Sequence, residues 1–522
     1  MQLTATFRSL LQLFRDVFTA PTFATFVTLA TGWCLSPRHR YITEMIQAAN
    51  AVHRGHHSRY HRFFSNAAWS IDDLYDALAL QAVQDFYPEG VIVLGADDTL
   101  CRKRGLTIFG TGMHHDPLIS SRKRAWVSWG HDWVILSLII PNPPWSPTKV
   151  WALPVGLRLY RNHQGLTKGK KKEKAKGKSA QRKRPVDPNH RTRPELAVEL
   201  IARFAQHFPQ RQIVVSGDSA YGGQSVLQHL PAHVDLISRV APKAALYRPA
   251  PPRRPDQKGA SRTKGDRLPG LAEWAAEATP WEDLEFDQYG LHATLQVKTI
   301  RALYYKAGKD RLLTIVLVRD VTGGRPDQMF DCTRTEWNAR AILTHYAWRW
   351  SVEVMHYNAK QMMGLEDPAN RTAQAVQRTA PVGLALYGLT WIWFQRVGHR
   401  GWSYPERPWY PGKEEPSYAD ILAALRRQSW RDQFPGVDWE QGGEETALAR
   451  LIELPAAPRK RHGAPTNPAP KPRREPPDHP AQKVWEDRRP YRFSAERELR
   501  WKNKMTISQP KPGRLPSFCS GF

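Results

Sequence analysis

The chain has 522 residues, of which 41% are hydrophobic, and it carries a formal net charge of +27. Such a length and apolar content exclude a wholly disordered protein and allow two to four domains with cores of their own. An excess of Lys and Arg this large repels itself unless an anionic partner neutralises it, which points to nucleic acid or an anionic membrane.

The N-terminal 85 residues predict a helical domain. Its "TFATFVTLATGW" lacks a small-residue cleavage site, which argues against a signal peptide. "HRGHHSRYHRFFS" mixes His, Arg and aromatic residues in a way that suits phosphate contacts or an ordinary basic helix surface. In "SIDDLYDALALQAV", Ser70 is a predicted N-cap with Asp73 at the third helical position, and Leu74, Leu78 and Ala82 line one face. From "GVIVLGADDT" the pattern changes, because Val91 to Leu94 is a short β-branched run expected of a strand buried on both faces. "WVILSLIIP" and "VWALPVGLRLY" predict two more strands. "PELAVELIARFAQHF" predicts a helix with Pro194 at its first position, and "QIVVSGD" a further buried strand.

Residues 168–184 hold ten Lys or Arg and one acid, a composition that forbids packing and predicts a basic loop. "LHATLQVKTIRALYY" and "RLLTIVLVRD" alternate like paired strands, with Gly323-Gly324 at a turn. Helix returns from 336. The longest apolar run, "APVGLALYGLTWIWF" at 380–394, is short for a bilayer span and opens on Ala380-Pro381, so it predicts a buried core helix. Cys34, Cys101, Cys332 and Cys519 lie too far apart to suggest a zinc or redox pair, in keeping with a reducing, cytoplasmic setting. "MHHDP" at 113–117 is expected to be a structured loop, since no third ligand accompanies its histidines.

Acids stand where acid is costly. Asp97 and Asp98 end the first buried strand, Asp218 ends another, and Glu353 lies inside the aromatic stretch "YAWRWSVEVMHYNAK". Carboxylates gathered in one site repel and rise in pKa unless a cation neutralises them. Mg²⁺, a hard ion that prefers oxygen ligands, is the natural neutraliser. In the aromatic stretch, Tyr346, Arg349, Glu353 and Lys360 at offsets of 0, 3, 7 and 14 fall within about 60° on a continuous helix. Trp348, Met355 and Met362 form a stripe on the other side, towards the core. A carboxylate for metal flanked by cations for phosphate suits cleavage of a nucleic-acid backbone.

The pattern Y-x2-R-x3-E-x6-K filled by Tyr346, Arg349, Glu353 and Lys360 resembles the signature of the insertion-sequence-four family of bacterial transposases. "ADDT" resembles that family's first-aspartate motif and "SGDSAYGG" its second, and the resemblance covers roughly residues 85 to 395. It implies an α/β ribonuclease H-like core with a β-rich insertion domain between Asp218 and Glu353. It further implies a metal triad of Asp97, Asp218 and Glu353 loaded with Mg²⁺ or Mn²⁺. Asp97 is chosen over Asp98 because the family's aspartate stands two before the threonine, and neighbours on a strand point to opposite faces. Tyr346, Arg349 and Lys360 would grip the phosphates of transposon ends, in a homodimer assembled on double-stranded DNA near the bacterial nucleoid. The implied reaction is cut-and-paste transposition: nicking that frees a 3′-hydroxyl, then strand transfer. In some relatives a tryptophan of the insertion domain stacks on a flipped base, and Trp274 and Trp281 lie in that region.

The expected organisation is a helical DNA-binding domain (1–85), a first core part (86–240), a β-rich insertion (241–335) and a second core part with the Glu353 helix (336–398). A helical C-terminal segment (399–454) and a Pro/Arg-rich, largely disordered basic tail (455–522) follow. Two competing readings are a catalytically inactive DNA-binding descendant of a transposase and another ribonuclease H-like DNA nuclease.

Overall fold

The computed structural model describes residues 2–37, 39–121, 124–162, 190–253, 259–288, 291–400 and 412–433. The basic stretch 168–184 and the tail 455–522 lie outside the described residues, as does all of 399–454 except 399–400 and 412–433.

Five helices lead: α1 (Ala5–Leu11), α2 (Ala20–Leu35), α3 (Ile42–Ala48), α4 (Ser58–Ser65) and α5 (Ile71–Phe86). The N-cap of α5 is as expected, with Ser70 Oγ accepting from Asp73 N at 3.3 Å. Leu74, Leu78 and Ala82 all face inward. Strands β1 (Ile92–Arg102), β2 (Gly112–His115), β3 (Val127–Pro141) and β4 (Val150–Tyr160) follow. Next come α6 (Arg193–Gln206), β5 (Ile213–Gly217), α7 (Gln224–Leu227) and β6 (Val234–Val240). The "MHHDP" segment is therefore partly a strand rather than a loop. Asp116 just after it is buried, pinned by Arg102 Nε at 2.8 Å and Ser128 Oγ at 2.6 Å.

β1 runs antiparallel to β3 and β3 antiparallel to β4, while β5 and β6 run parallel to β1 on its other side. The spatial order β4-β3-β1-β5-β6 is consistent with a ribonuclease H-like core. A buried parallel pair needs apolar residues on both faces, and Ile92–Leu94 and Ile213–Val215 supply them. Helix α6 starts with a capping box in which Thr192 and Glu195 exchange bonds, so Pro194 stands at its second position rather than its first.

The strands after β6 extend the same sheet. β10 (Gln328–Cys332) pairs antiparallel with β6, and β9 (Leu312–Asp320), β8 (Leu291–Leu303) and β7 (Glu282–Gln288) follow outward. With α8 (Leu271–Ala276) they enclose a second apolar cluster around Leu246, Trp274, Ile315, Leu317 and Met329. Trp274 is thus a core residue. Trp281, half-buried, carries Arg319 over its ring at 4.2 Å and Lys298 at 4.7 Å.

After the short α9 (Tyr305–Gly308), the C-terminal helices are α10 (Ala339–Trp348), α11 (Trp350–Met362), α12 (Ala373–Trp393) and α13 (Tyr418–Arg431). Every residue of α12 from Arg378 onward is buried, so the long apolar run is a core helix. Among the described residues no helix is long and apolar enough to cross a membrane. Gly388 lets α12 approach both β4 and α5, since a Cβ there would lie 3.2 Å from Leu153 and Leu78. The N-terminal helices share this core: Tyr75 donates to the Pro381 carbonyl at 2.8 Å and Trp33 to that of Met363 at 2.9 Å.

Candidate active site

β1 is longer than the apolar run suggested, and Asp97 and Asp98 lie within it rather than at its end. Their position is special for another reason. The parallel pairing of β1 with β5 stops at Ala96↔Gly217, while the antiparallel pairing with β3 continues to Arg102↔Gly130. The two strands therefore part just where Asp97 and Asp218 begin, at the carboxyl ends of parallel strands where open α/β sheets place ligands.

Strand alternation then sorts the acids. A Cβ on Gly95 would meet Val352 of α11 at 2.7 Å, so the Gly95 face, which is also the Asp97 face, looks at the helix of Glu353. A Cβ on Gly217 would meet Tyr221 at 2.7 Å, so the Ala96–Gly217 face, which is also the Asp98 face, looks the other way. Asp97 therefore shares its face with the Glu353 helix and Asp98 belongs to the opposite one, while Asp218, just past the end of β5, is near enough to raise both Asp97 and Asp98.

On the Asp97 face a single guanidinium joins two acids. Arg349 Nη1 lies 3.0 Å from Asp97 Oδ2, and its Nη2 lies 3.3 Å from Glu353 Oε1. The Arg349 side chain is 5% exposed, so this pair is held in a medium of low polarity. Burial pushes the Asp97 carboxyl up to about 8, against the pull of Arg349, with Asp98, Glu353 and Asp218 adding to the rise. Glu353 is raised for the same reason, burial opposed by Arg349 and reinforced by Asp218. Burial works against the Arg349 charge, yet Asp97, Tyr346 and Glu353 hold its pKa above the ordinary arginine value. Asp218, half-buried, follows β5 in a tight turn whose Oδ1 accepts from Ala220 N at 2.8 Å.

The expected single helix through Tyr346 and Lys360 is two. At Arg349 the backbone tightens, with Arg349 N bonding Tyr346 O at 3.1 Å and Val352 N bonding Arg349 O at 2.9 Å. These three-residue spacings replace the four-residue ones of an α-helix and end α10. Tyr346 consequently turns into the protein, 2% exposed, with its ring 4.6 Å from Phe330 and beneath the Arg349 guanidinium at 5.5 Å. As placed, Tyr346 and Arg349 face buried acid and aromatic groups instead of an exposed DNA surface. Arg349 meets one carboxylate from the sheet, Asp97, and one from its own helix, Glu353. Lys360, half-buried, donates to the Leu100 carbonyl at 2.8 Å. With Arg102 N on Glu366 Oε1 at 2.9 Å, it fixes α11 along β1. Met355 is buried as expected, whereas Trp348 and Met362 are only half-buried.

The reverse face holds residues that sequence reasoning missed. Asp98 Oδ1 accepts from the Tyr221 hydroxyl at 2.9 Å, and its Oδ2 pairs with Arg193 Nε at 3.3 Å. Arg193 also binds Asp132, 1% exposed, whose other neighbour is His114 Nδ1 at 3.4 Å. Burial first and then Asp132 raise Asp98, against Arg193 and the Tyr221 hydrogen bond, to about 6. An acid in the apolar strand "GHDWVILSLIIP" was the available signal. Arg193 had none beyond its place at a helix start.

The oxygen donors of Asp97, Asp218 and Glu353 suit a hard divalent ion, and burial, only partly offset by Arg349, raises Asp97 and Glu353. Among the described residues no three acids or histidines are drawn together closely enough here to enclose an ion. No curated protein matches the chain in sequence. The family model described as DDE superfamily endonuclease, whose members generally use divalent metals, matches residues 13–306 and so spans Asp97 and Asp218 but ends before Glu353. With more than half of its length matched, the chain belongs to the DDE superfamily endonucleases.

Proposed function

We propose that this endonuclease is a DNA transposase of the insertion-sequence-four type, which excises an element and joins its ends to target DNA. The observation that carries the reading is that Asp97 and Asp218 stand where β1 and β5 part, with Glu353 joined to Asp97 through Arg349. In this proposal Asp97, Asp218 and Glu353 hold Mg²⁺, with Mn²⁺ as substitute. When bound, the ion supplies charge that stabilises the displaced phosphate oxygens and lowers the pKa of water.

The chain's own groups do the rest. Arg349 keeps Asp97 and Glu353 together while the ion is absent, and its planar fork suits a phosphate once the acids are otherwise neutralised. Lys360 holds β1 against α11 through the Leu100 carbonyl. Tyr346 backs Arg349 from within. The excess of cations binds duplex DNA through phosphates without regard to sequence. Arg54 and Arg62, exposed on and before α4 beside His53, His56 and His57, suit this role.

An excision assay tests the reading: a supercoiled plasmid carrying the DNA that flanks this gene is incubated with the protein and Mg²⁺. Transposition predicts double-strand release at matched terminal repeats and free 3′-hydroxyl ends. Binding without cleavage would mark an inactive descendant, and cleavage indifferent to the repeats another nuclease.

A further inference from the structure

The loop that carries Asp218 is tied to the strand that carries Asp97 by one hydroxyl on the far side of the sheet. Tyr221 is 1% exposed, and its hydroxyl donates to Asp98 Oδ1 at 2.9 Å. Its backbone N–H closes a turn on the Asp218 carbonyl at 3.0 Å, while Asp218 Oδ1 accepts from Ala220 N. The chain thus doubles back over the end of β5, and Gly217 makes this possible: any Cβ there would lie 2.7 Å from that of Tyr221. Asp98 is itself secured, because Arg193 bridges it to buried Asp132 and lies over the Tyr160 ring at 4.4 Å.

From this geometry we propose that Tyr221 is a positioning residue, which sets the spacing of Asp97 and Asp218 by clamping their two strands through Asp98. The proposal rests on the reading of those acids as ion ligands. Asp97 and Asp98 are adjacent on β1 and point to opposite faces, so a bond that fixes Asp98 also fixes where Asp97 stands. Asp218 lies three residues before Tyr221 in a turn closed by two hydrogen bonds, so the same bond fixes Asp218. Carboxylates that bind ions depend on such outer contacts, and losing one typically costs about 10–100-fold in metal affinity or activity. Tyr221→Phe keeps the ring that Gly217 accommodates and removes only the clamp.

The test is isothermal titration of the full-length protein with Mn²⁺, run beside thermal melting without metal and duplex-DNA binding in EDTA. Tyr221→Phe should weaken Mn²⁺ binding about 10–100-fold while the metal-free melting temperature and DNA affinity move little. Asp98→Asn retains an oxygen that accepts from the tyrosine hydroxyl, so its loss should be smaller than that of Tyr221→Phe. Unchanged Mn²⁺ affinity in Tyr221→Phe overturns the clamp. So does abolition of binding by Asp98→Asn alone, which would make Asp98 a ligand. Should Tyr221→Phe melt early, Asp98→Ala removes the same acceptor, and an unchanged Mn²⁺ affinity there overturns the proposal equally. Asp97→Asn and Asp218→Asn separate the two levels: if they too bind Mn²⁺ normally, the ligand assignment itself fails; if only they lose it, the clamp alone fails.

Discussion

Protonation of Asp97 should leave a measurable mark on the stability of the metal-free protein. An acid whose folded-state pKa exceeds its unfolded one binds more protons folded than unfolded between the two values. Stability then falls as pH rises across that window and is level outside it. For Asp97 the window runs from 3.8 to about 8. At about 1.4 kcal/mol per pH unit this is on the order of 5 kcal/mol across the window, part of which is shared with Glu353 and Asp98. The slope of melting temperature with free energy shrinks with chain length, so about 1–2 °C per kcal/mol applies here, or about 5–10 °C in all. Thermal midpoints in EDTA would be followed from pH 4 to pH 9 for the wild type and Asp97→Asn. The wild-type midpoint should drop against that of the variant as pH climbs to about 8, then run parallel. Mg²⁺ should restore more of it at pH 8 than at pH 6, because the ion competes with fewer protons. Parallel curves throughout the window would refute the picture of an acid whose burial outweighs its pairing with Arg349.

Three other outcomes follow, two from the geometry and one from composition. Asp97→Asn should lose DNA cleavage by several orders of magnitude while Asp98→Asn keeps a measurable fraction, as gel assays on end-containing duplexes would reveal; the reverse order would exchange their roles. Gly95→Ala places a methyl 2.7 Å from Val352 Cγ2 and should destabilise by about 1–3 kcal/mol, with Val352→Ala restoring both melting temperature and cleavage. Replacing residues 168–184 with a short Gly-Ser linker should flatten the log–log salt dependence of duplex binding by about 0.9 for each phosphate that is no longer neutralised. The preference for transposon ends over random DNA should remain.

The strands and long helices were legible because burial writes itself into composition. Apolar runs gave β1, β3, β4 and β5, and the all-round apolar α12 was distinguishable from a membrane span by its length and Pro381. The acids were legible because a carboxylate beside an apolar strand run is unusual; alternation showed that Asp97 and Asp98 face opposite ways, and the spacing to Thr99 in the resemblance chose Asp97. What failed to show was anything set by partners distant in sequence. The break falls at Arg349, which pairs with Asp97 far upstream, and no helical periodicity records it. Likewise Arg193, Asp132 and Tyr221 acquire their meaning only when β1, β3 and the turn after β5 converge. The pairing of β10 with β6, which joins the later strands to the core sheet, also depends on edge geometry that neither strand's sequence specifies.

The central claim, that Asp97, Asp218 and Glu353 form one metal-dependent cleavage site, is tested most directly by Asp218→Asn and Glu353→Gln. Each would be assayed for Mg²⁺-dependent strand cleavage and, in parallel without metal, for affinity to the same end-containing duplex. Loss of a ligand should abolish cleavage in both variants, while binding, which comes mostly from Lys and Arg contacts to phosphate, stays within about threefold. Near-normal cleavage by either variant would contradict the account.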